Sequence, residues 1–386
     1  MPSRFERSGE PNLSALSRCS TISKRGIARV RRLPAGLCLR IARQSAEKDS
    51  VRPEISGQPR ESYMSVIPHR PRVGIIGTGA IGGFYGLMLA RAGFDVHFLL
   101  RSEFEAVVSN GLRVSSAVHG DLHLQPVQAY RSAADMPRCD WLLIGTKSTG
   151  NAELGPIIRQ VAAPNAGVLL LQNGLAVEDQ LRAVLPDGLH LLGGLCFVCL
   201  HRASPGVITH QAFGAVSVGY HSGPAVDEAS RLAIVEACAA LFVAAGIDAP
   251  VMADLRQARW QKLVWNVPYN GLSALLQAGT GRLMSDPDSQ ALIRALMDEV
   301  VLGAEACGHV LPAGFAQHLL SVTETMPDYR PSMYHDRFER RPLELEAIYA
   351  RPLAAALAAG FDMVRVRALY QALAFVDRDN RRSGEE

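Results

Sequence analysis

A glycine motif at residues 77–82 constrains the fold of this chain more than any other feature. A short apolar strand is predicted before it, at residues 73–76, and an apolar helix after it, to Ala92. Gly93 suits the C-terminal cap of that helix, and "DVHFLL" is typical of a second strand. A G-x-G-x-x-G motif between a strand and a helix indicates a dinucleotide site, because the N–H groups at the helix N-terminus bind pyrophosphate.

Each glycine of the motif has a mechanical reason. Gly77 allows the tight turn, Gly79 lets a pyrophosphate approach the backbone, and Gly82 lets the helix pack on the sheet. The predicted cofactor-binding loop is Gly77, Thr78, Gly79, Ala80, Ile81 and Gly82.

The end of the second strand predicts which dinucleotide binds. NAD-dependent sites carry an acidic residue there for the ribose 2′-hydroxyl, whereas this chain has Arg101 and Ser102. A guanidinium matches a 2′-phosphate in charge and in two-pronged hydrogen bonding. The sequence therefore favours NADP(H); the alternative is that Arg101 is a solvated surface residue.

Two further buried strands are predicted in "CDWLLIGTK" and "AGVLLLQNG", and both end in polar residues. Ligands of an open parallel sheet bind outside the carboxyl ends of its strands. Lys147 and Gln172 are therefore candidates for the cofactor, and Asn173 for its nicotinamide end. Each could instead cap a loop.

After about residue 250 helical periodicity dominates, which predicts an α-helical domain docked against the nucleotide-binding one with a cleft between them. In "KLVWNVPYN" the residues Lys262, Asn266 and Asn270 are spaced by four, so they share one face of a helix with apolar flanks. Pro268 is expected to kink that helix. The polar face suits the cleft; the alternative is an ordinary exposed lysine.

Charge and cysteine usage exclude some classes of protein. Residues 1–63 hold 13 Lys+Arg and 6 Asp+Glu, while the rest of the chain is mildly acidic, so no nucleic-acid footprint is predicted. No apolar run is long enough to predict a membrane span. Seven cysteines without regular spacing predict no disulfide framework. The lone C-x-x-C of Cys196 and Cys199 lacks a second ligand pair, so two apolar strand residues are expected there and no metal site.

The first 63 residues are rich in arginine and serine and lack the apolar core of a secretory signal. A disordered extension is the favoured interpretation. A targeting segment, or a translated upstream stretch before a start at Met64, are the alternatives.

The pattern resembles the ketopantoate reductase (2-dehydropantoate 2-reductase) family over roughly residues 72–378. The likeness rests on ordered motifs: "GIIGTGAIGG", "LLR", "GTK", "QNG", the K-x-x-x-N-x-x-x-N spacing, and "RPSMYHD" with Glu344 twelve residues beyond its serine. It implies an α/β fold with a Rossmann-type domain (70–252), an all-α C-terminal domain (253–380) and the active site between them.

The resemblance also implies roles for individual residues. Lys262 matches the catalytic lysine and Glu344 the supporting acid; for Glu344, a surface pair with Arg340 or Arg341 is the alternative. Arg101 and Lys147 match positions facing the NADP phosphate and ribose. The residues that match substrate positions are Asn173, Asn266, Asn270, Ser332 and, more loosely, Thr280.

The implied reaction is NADPH-dependent reduction of a 2-keto acid, ketopantoate or a related branched acid, by a monomer or homodimer. A cytoplasmic location follows if residues 1–63 are not a working signal. Tyr349 and Ala350 replace an Asn-Gly pair that biosynthetic members tend to carry, which leaves the keto acid open. Two alternatives are a β-hydroxyacid or sugar-acid dehydrogenase of similar build and a catalytically silent NADP-binding regulator.

Overall fold

The computed structural model describes residues 70–382, and the expectations for residues 1–63 lie outside that range. The predicted strand–turn–helix–strand unit is present at its start. Strand β1 (Arg72–Ile76) leads into the glycine turn, helix α1 (Ala80–Arg91) follows, and β2 (Asp95–Leu99) pairs parallel with β1. Gly93 has a φ of +85°, the left-handed conformation that a glycine beyond a helix end supplies.

The remaining strands are β3 (Leu112–Ser116), β4 (Gly120–Leu124), β5 (Ala129–Tyr130), β6 (Cys139–Ile144), β7 (Ala162–Leu170), β8 (His190–Ser204) and β9 (Val207–Ser222). Within residues 70–382 the nine strands form one sheet, in the order β4-β3-β9-β8-β7-β6-β1-β2-β5. The six neighbouring strands β8-β7-β6-β1-β2-β5 are parallel, and β9 is antiparallel to β8. The accompanying helices are α2 (Phe104–Asn110), a 3₁₀ turn (Ser148–Glu153), α3 (Leu154–Val161), α4 (Val177–Arg182) and α5 (Glu228–Ala244).

The C-x-x-C pair lies in the long β8–β9 hairpin. Both Cys196 and Cys199 are buried free thiols in β8. Burial raises the pKa of Cys199 to about 12, which keeps its thiol protonated and unreactive. The interpretation of the pair as apolar strand residues is confirmed.

From Leu255 onward the described chain is helical. Its helices are α6 (Leu255–Leu276), α7 (Thr280–Ser285), α8 (Pro287–Ala306), α9 (Phe315–Thr325), α10 (Ser332–Phe338), α11 (Arg351–Ala358) and α12 (Val364–Arg382). Helix α6 is central and packs against α8, α10 and α12. It continues through Pro268 without a break; the predicted kink stays a prediction.

One helical segment of this region is irregular. A π-helical turn (Glu346–Ala350) leads directly into α11. Pro352 has no N–H to donate to the carbonyl of Ile348, which favours a departure from regular α-helical bonding at this point.

The fold class is confirmed: an α/β sheet of Rossmann type is followed by a helical region. We refer to residues 70–252 as the nucleotide part and to residues 253–380 as the helical part; the division at 252 remains a prediction. Across the described residues, no helix is both long and apolar enough to cross a bilayer.

Candidate active site

The glycine turn has the geometry that the sequence predicts for its three motif glycines. Gly77 has a φ of +91°, and a Cβ there would lie 2.5 Å from the backbone N of Thr146. A Cβ on Gly82 would lie 2.2 Å from the carbonyl oxygen of Gly77, so only glycine lets α1 approach β1 this closely. A Cβ on Gly79 meets nothing within 4 Å, and no side chain caps the N-terminus of α1. Open space therefore faces free N–H groups, as a bound pyrophosphate requires.

The residues between these glycines support the turn. Thr78 is buried, and its Oγ1 donates to the carbonyl of Leu99 at the end of β2 over 3.4 Å. Ala80 and Ile81 are half-buried in the first turn of α1.

Arg101 lies just beyond β2 with 71 % of its side chain exposed. Its Nη2 lies 3.0 Å from Oε2 of Glu153, which is equally exposed. An exposed pair of this kind contributes little to stability, so a phosphate could displace Glu153 at small cost.

Lys147 and Gln172 follow neighbouring parallel strands, yet both side chains are engaged within the protein. Lys147 forms an ion pair with Asp336, a fully buried residue of α10 that also accepts from Nε of Arg341 at 3.0 Å. The amide nitrogen of Gln172 donates to the carbonyl of Thr146 at 3.0 Å and to Asn151 at 2.6 Å. Lys147 thus joins the two parts, and the Gln172 side chain braces the loop. Their predicted cofactor contacts stay predictions.

Lys262 does not point into solvent, so the alternative of an ordinary exposed lysine is wrong. It is half-buried on α6, and its Nζ donates to the backbone carbonyl of Cys196 in β8 over 2.6 Å. Burial lowers the pKa of Lys262 to about 8; the charge of Arg259 lowers it further, while that of Glu344 favours the charged form. This ammonium can release a proton near neutral pH.

Glu344 is also buried, with only 4 % of its surface exposed, so a surface pair with Arg340 or Arg341 is excluded. Its Oε1 accepts from the backbone N of Ser148 at 3.1 Å and from the Ser148 hydroxyl at 2.9 Å. A carboxylate of the helical part is therefore fixed against the nucleotide part and contributes negative charge near Lys262.

The side-chain amides of the two α6 asparagines differ in their hydrogen bonding. The side-chain nitrogen of Asn266 is buried and has no hydrogen-bond partner among residues 70–382. Oδ1 of Asn270 accepts long bonds of 3.4 Å from the Ser332 hydroxyl and the Met333 N–H. Since a buried amide without a partner costs free energy, Asn266 is the clearest sign of a ligand position.

The other two predicted substrate residues, Asn173 and Thr280, differ in burial. Asn173 is half-buried on the turn after β7. Thr280 is buried, and its Oγ1 accepts from the N–H of Tyr329 at 3.0 Å. That bond gives Thr280 a structural role, and nothing in its geometry supports the predicted substrate contact.

Several residues of the site were missed by sequence reasoning. Ser148 holds Glu344, Asp336 holds Lys147, and Arg259 pairs with Glu178 behind Lys262. Arg259 precedes Lys262 by three residues, so helical spacing placed it on the same face. Asp336 stood within "RPSMYHD", but no spacing could indicate that its partner is Lys147.

Together these groups form a polar site at the seam between the nucleotide and helical parts. It offers one cation with a lowered pKa, one fixed carboxylate and two amides. Such a set can hold a small oxo acid, polarise its carbonyl and deliver a proton to the oxygen.

Comparisons with known proteins agree with this chemistry. The family model "Ketopantoate reductase PanE/ApbA" matches residues 73–223, and its C-terminal counterpart matches residues 254–377. A 2-dehydropantoate 2-reductase from Nostoc is 41% identical over 310 residues, which is 80% of this chain and 95% of that protein.

Solved structures show the same likeness. A 2-dehydropantoate 2-reductase from Geobacter metallireducens superposes with a TM-score of 0.73 at 38% identity, covering 78% of this chain and 99% of the other. One from Methylococcus capsulatus has a TM-score of 0.69 at 33% identity, covering 80% and 97%.

Proposed function

Since the chain belongs to the ketopantoate reductase family, we propose that it reduces 2-dehydropantoate (ketopantoate) to pantoate with NADPH, a step of pantothenate biosynthesis. It is an NADP-dependent oxidoreductase of the class that acts on CH–OH groups. The observation that carries the proposal is Lys262, a half-buried amine with a pKa near neutrality beside a buried carboxylate and an unpartnered amide.

The nucleotide part fits NADPH. Gly77, Gly79 and Gly82 leave the N-terminus of α1 open, and Arg101 is exposed at the end of β2 with only a surface carboxylate to displace. When bound, the nicotinamide supplies a hydride to the ketone carbon. Asn173 lies on the turn after β7, where we assign it to the nicotinamide and substrate.

Lys262 is assigned as the proton donor. Its ammonium hydrogen-bonds the ketone oxygen, stabilises the negative charge that develops there, and gives up its proton as the alcohol forms. Preorganised donors of this kind contribute on the order of 3 kcal/mol each to transition-state stabilisation in other enzymes. The contact with Cys196 holds Nζ in place before substrate arrives.

Glu344 is assigned a supporting role. Its charge favours the ammonium form of Lys262, and its two bonds from Ser148 keep it from moving toward the lysine. Asn266, Asn270 and Ser332 are assigned to the carboxylate and hydroxyl groups of the substrate. The free amide N–H groups of Asn266 suit a carboxylate oxygen.

The test is NADPH oxidation by the full chain, followed by absorbance with and without ketopantoate, and with NADH in parallel. Rapid oxidation of NADPH that requires ketopantoate, with a slow NADH rate, supports the reaction and the role of Arg101. NADPH binding without turnover would reject ketopantoate and direct the search to other branched 2-keto acids. Failure with all of them would favour the silent regulator.

The oligomeric state and the cellular location of the protein are further parts of its proposed function. We propose a monomer or homodimer, to be settled by analytical ultracentrifugation. We also propose a cytoplasmic location, which cell fractionation can test. The absence of a nucleic-acid partner stays a prediction.

A further inference from the structure

A buried ion pair lies one helical turn before Lys262. Arg259 on α6 and Glu178 on α4 are 2 % and 3 % exposed. Nε of Arg259 donates to Oε1 of Glu178 at 3.1 Å, and its Nη2 bonds the same oxygen. Nη1 of Arg259 donates to the backbone carbonyl of Gln172. One guanidinium of the helical part thus binds two points of the nucleotide part.

Those two points enclose the turn that carries Asn173. Gln172 stands immediately before Asn173, and Glu178 lies five residues after Asn173, in the first turn of α4. The turn is held elsewhere as well. The N–H of Leu175 donates to the carbonyl of Ala347 at 2.8 Å, and Arg351 donates to the carbonyl of Ala176 at 2.8 Å.

At this turn each part of the protein packs a residue into the core of the other part. Leu175 belongs to the apolar core of the helical part, while Ala347 belongs to an apolar core beneath the sheet. A Cβ on Gly174 would lie 2.4 Å from the Cβ of Ala347, so the two backbones are in close contact. The turn is therefore fixed to the helical part rather than free to move with the sheet.

We propose that the Arg259–Glu178 ion pair is a positioning device for the reaction: it fixes the Asn173 turn against the helix that carries Lys262 and balances the charge behind that lysine. Neither residue touches the reacting atoms in this assignment. The inference deepens the proposed function, on which it rests for its meaning in turnover.

The charge balance follows from the groups that face Lys262. Arg259 on the same helix disfavours the ammonium, and Glu344, after α10, favours it. Cys196 on β8 faces it as well, but burial raises the pKa of that thiol, so it stays neutral. Glu178 pairs with Arg259 and reduces the field that reaches Lys262. Removing either member should thus change the proton affinity of Lys262, in opposite directions.

The sequence offers a direct way to measure this. The chain has only four lysines, Lys24, Lys48, Lys147 and Lys262. NMR of full-length protein labelled at the lysine side-chain carbon gives few signals, and the signal lost in Lys262→Ala identifies that residue. Its titration reports the pKa of Lys262 without requiring turnover.

Arg259→Met removes the cation and leaves a bare carboxylate, so the pKa of Lys262 should rise by about one unit. Glu178→Gln keeps the shape and an acceptor oxygen but leaves the cation unbalanced, so the pKa should fall. If Arg259→Met does not fold, Glu178→Gln alone still tests the sign. Glu299→Gln is the matched control, because Glu299 is a buried carboxylate paired with Arg365 on a different face of the helical part.

The positioning role has its own readout. Arg259→Lys keeps the charge but lacks the planar fork that bonds Gln172 and Glu178 through separate nitrogens. The pKa of Lys262 should therefore stay within about 0.3 units while kcat falls at least tenfold. Shifts of the same sign in Arg259→Met and Glu178→Gln, or shifts no larger than in Glu299→Gln, would overturn the proposal. If the pKa values shift as expected but ketopantoate is not reduced, the charge balance stands and the proposed function fails.

Discussion

At the scale of single residues, the described part of the chain uses lysine sparingly. Residues 70–382 contain only Lys147 and Lys262, and both lie at the seam, one paired with Asp336 and the other bonded to Cys196. Other basic positions there are arginines or histidines. Arginine stays charged under all ordinary conditions, whereas the pKa of a buried lysine falls readily. Of the lysine and arginine side chains at the seam, Lys262, with its pKa lowered to about 8, is therefore the one suited to donate a proton near neutral pH.

Lys262→Ala should lower kcat by about 10²–10³-fold or more, because it removes both a preorganised donor and the source of the proton. NADPH affinity should change less than threefold, since the cofactor loop is untouched. Steady-state kinetics and fluorescence titration with NADPH measure the two. Lys262→Arg, which keeps a cation but holds its proton, should also be slow. Equal losses in kcat and in NADPH affinity would contradict the assigned role.

The pH dependence follows from the same group. The active form is the ammonium, so protonated enzyme predominates below the pKa of about 8 and activity is lost above it. The rate should fall about tenfold per pH unit on the alkaline side. Stopped-flow rates at saturating NADPH and ketopantoate between pH 6 and 10 test this. A profile that stays flat to pH 10 would mean that an ordinary, unshifted lysine or another group donates the proton.

At the scale of elements, the turn before α1 separates cofactor binding from stability. Gly79 has a φ of −78°, which alanine accepts, and open space surrounds its Cβ position. Gly79→Ala should keep the melting temperature within about 2 °C while weakening NADPH binding, because the methyl group enters the space assigned to pyrophosphate.

Gly82→Ala is the matched comparison. Its Cβ would meet the carbonyl of Gly77, and overpacking of this kind costs about 1–3 kcal/mol of folding free energy. Thermal melts without cofactor should show the loss in Gly82→Ala alone. A Gly79→Ala protein that binds NADPH normally would refute the position assigned to the pyrophosphate.

Helix α6 is braced by Tyr349, one of the two residues that depart from the family pattern. Tyr349 is 0 % exposed, and its hydroxyl donates to the carbonyl of Val267 at 2.8 Å, between the turns that carry Asn266 and Asn270. The tyrosine at this position therefore packs against α6 in this structure. It does not present a new side chain to an open cleft.

Tyr349→Phe should lower the free energy of unfolding by about 1 kcal/mol, the usual value of one hydrogen bond. The order of preference among branched 2-keto acids should not change, because the lost hydroxyl faces backbone. Urea unfolding and kcat/KM for several keto acids measure these. Tyr370→Phe, on a partly exposed neighbouring ring, serves as the control. A reordered preference would show that Tyr349 reaches the substrate.

At the scale of the whole molecule, the nucleotide and helical parts are joined by buried contacts. The Arg259–Glu178 pair, the Lys147–Asp336 pair and the Glu344–Ser148 bonds all cross the seam. Leu175 and Ala347 each pack into the other part's core. Separating the parts would expose the apolar side chains packed at the seam, at about 25 cal/mol per Å² of apolar surface, so separation is unfavourable.

We therefore expect the two parts to unfold in one transition. The three tryptophans report on both: Trp141 lies in β6, and Trp260 and Trp265 lie in α6. Trp141→Phe leaves tryptophans only in α6, and the double variant Trp260→Phe/Trp265→Phe leaves one only in β6. In each variant, the urea midpoint from tryptophan fluorescence should equal the midpoint from circular dichroism of the same variant. Two separate midpoints would show that the parts are independent domains.

The sequence by itself determined the features that depend on local spacing. The glycine turn, the parallel strands around it, the helix carrying Lys262, and the preference for NADP(H) all follow from residues within a few positions of one another. Local backbone geometry and helical or strand periodicity act over that distance, so a pattern can reveal them. The family resemblance then ordered the separate motifs along the chain.

Only the tertiary structure decided what those residues touch. Glu178 and Arg259 are 81 positions apart, and Ser148 and Glu344 are 196 apart. Lys147 and Gln172 were correctly placed at strand ends, yet their side chains bind within the protein. Partner choice depends on which surfaces meet when the helical part packs on the sheet. No spacing records that, and the pKa of Lys262 is therefore a property of the folded chain.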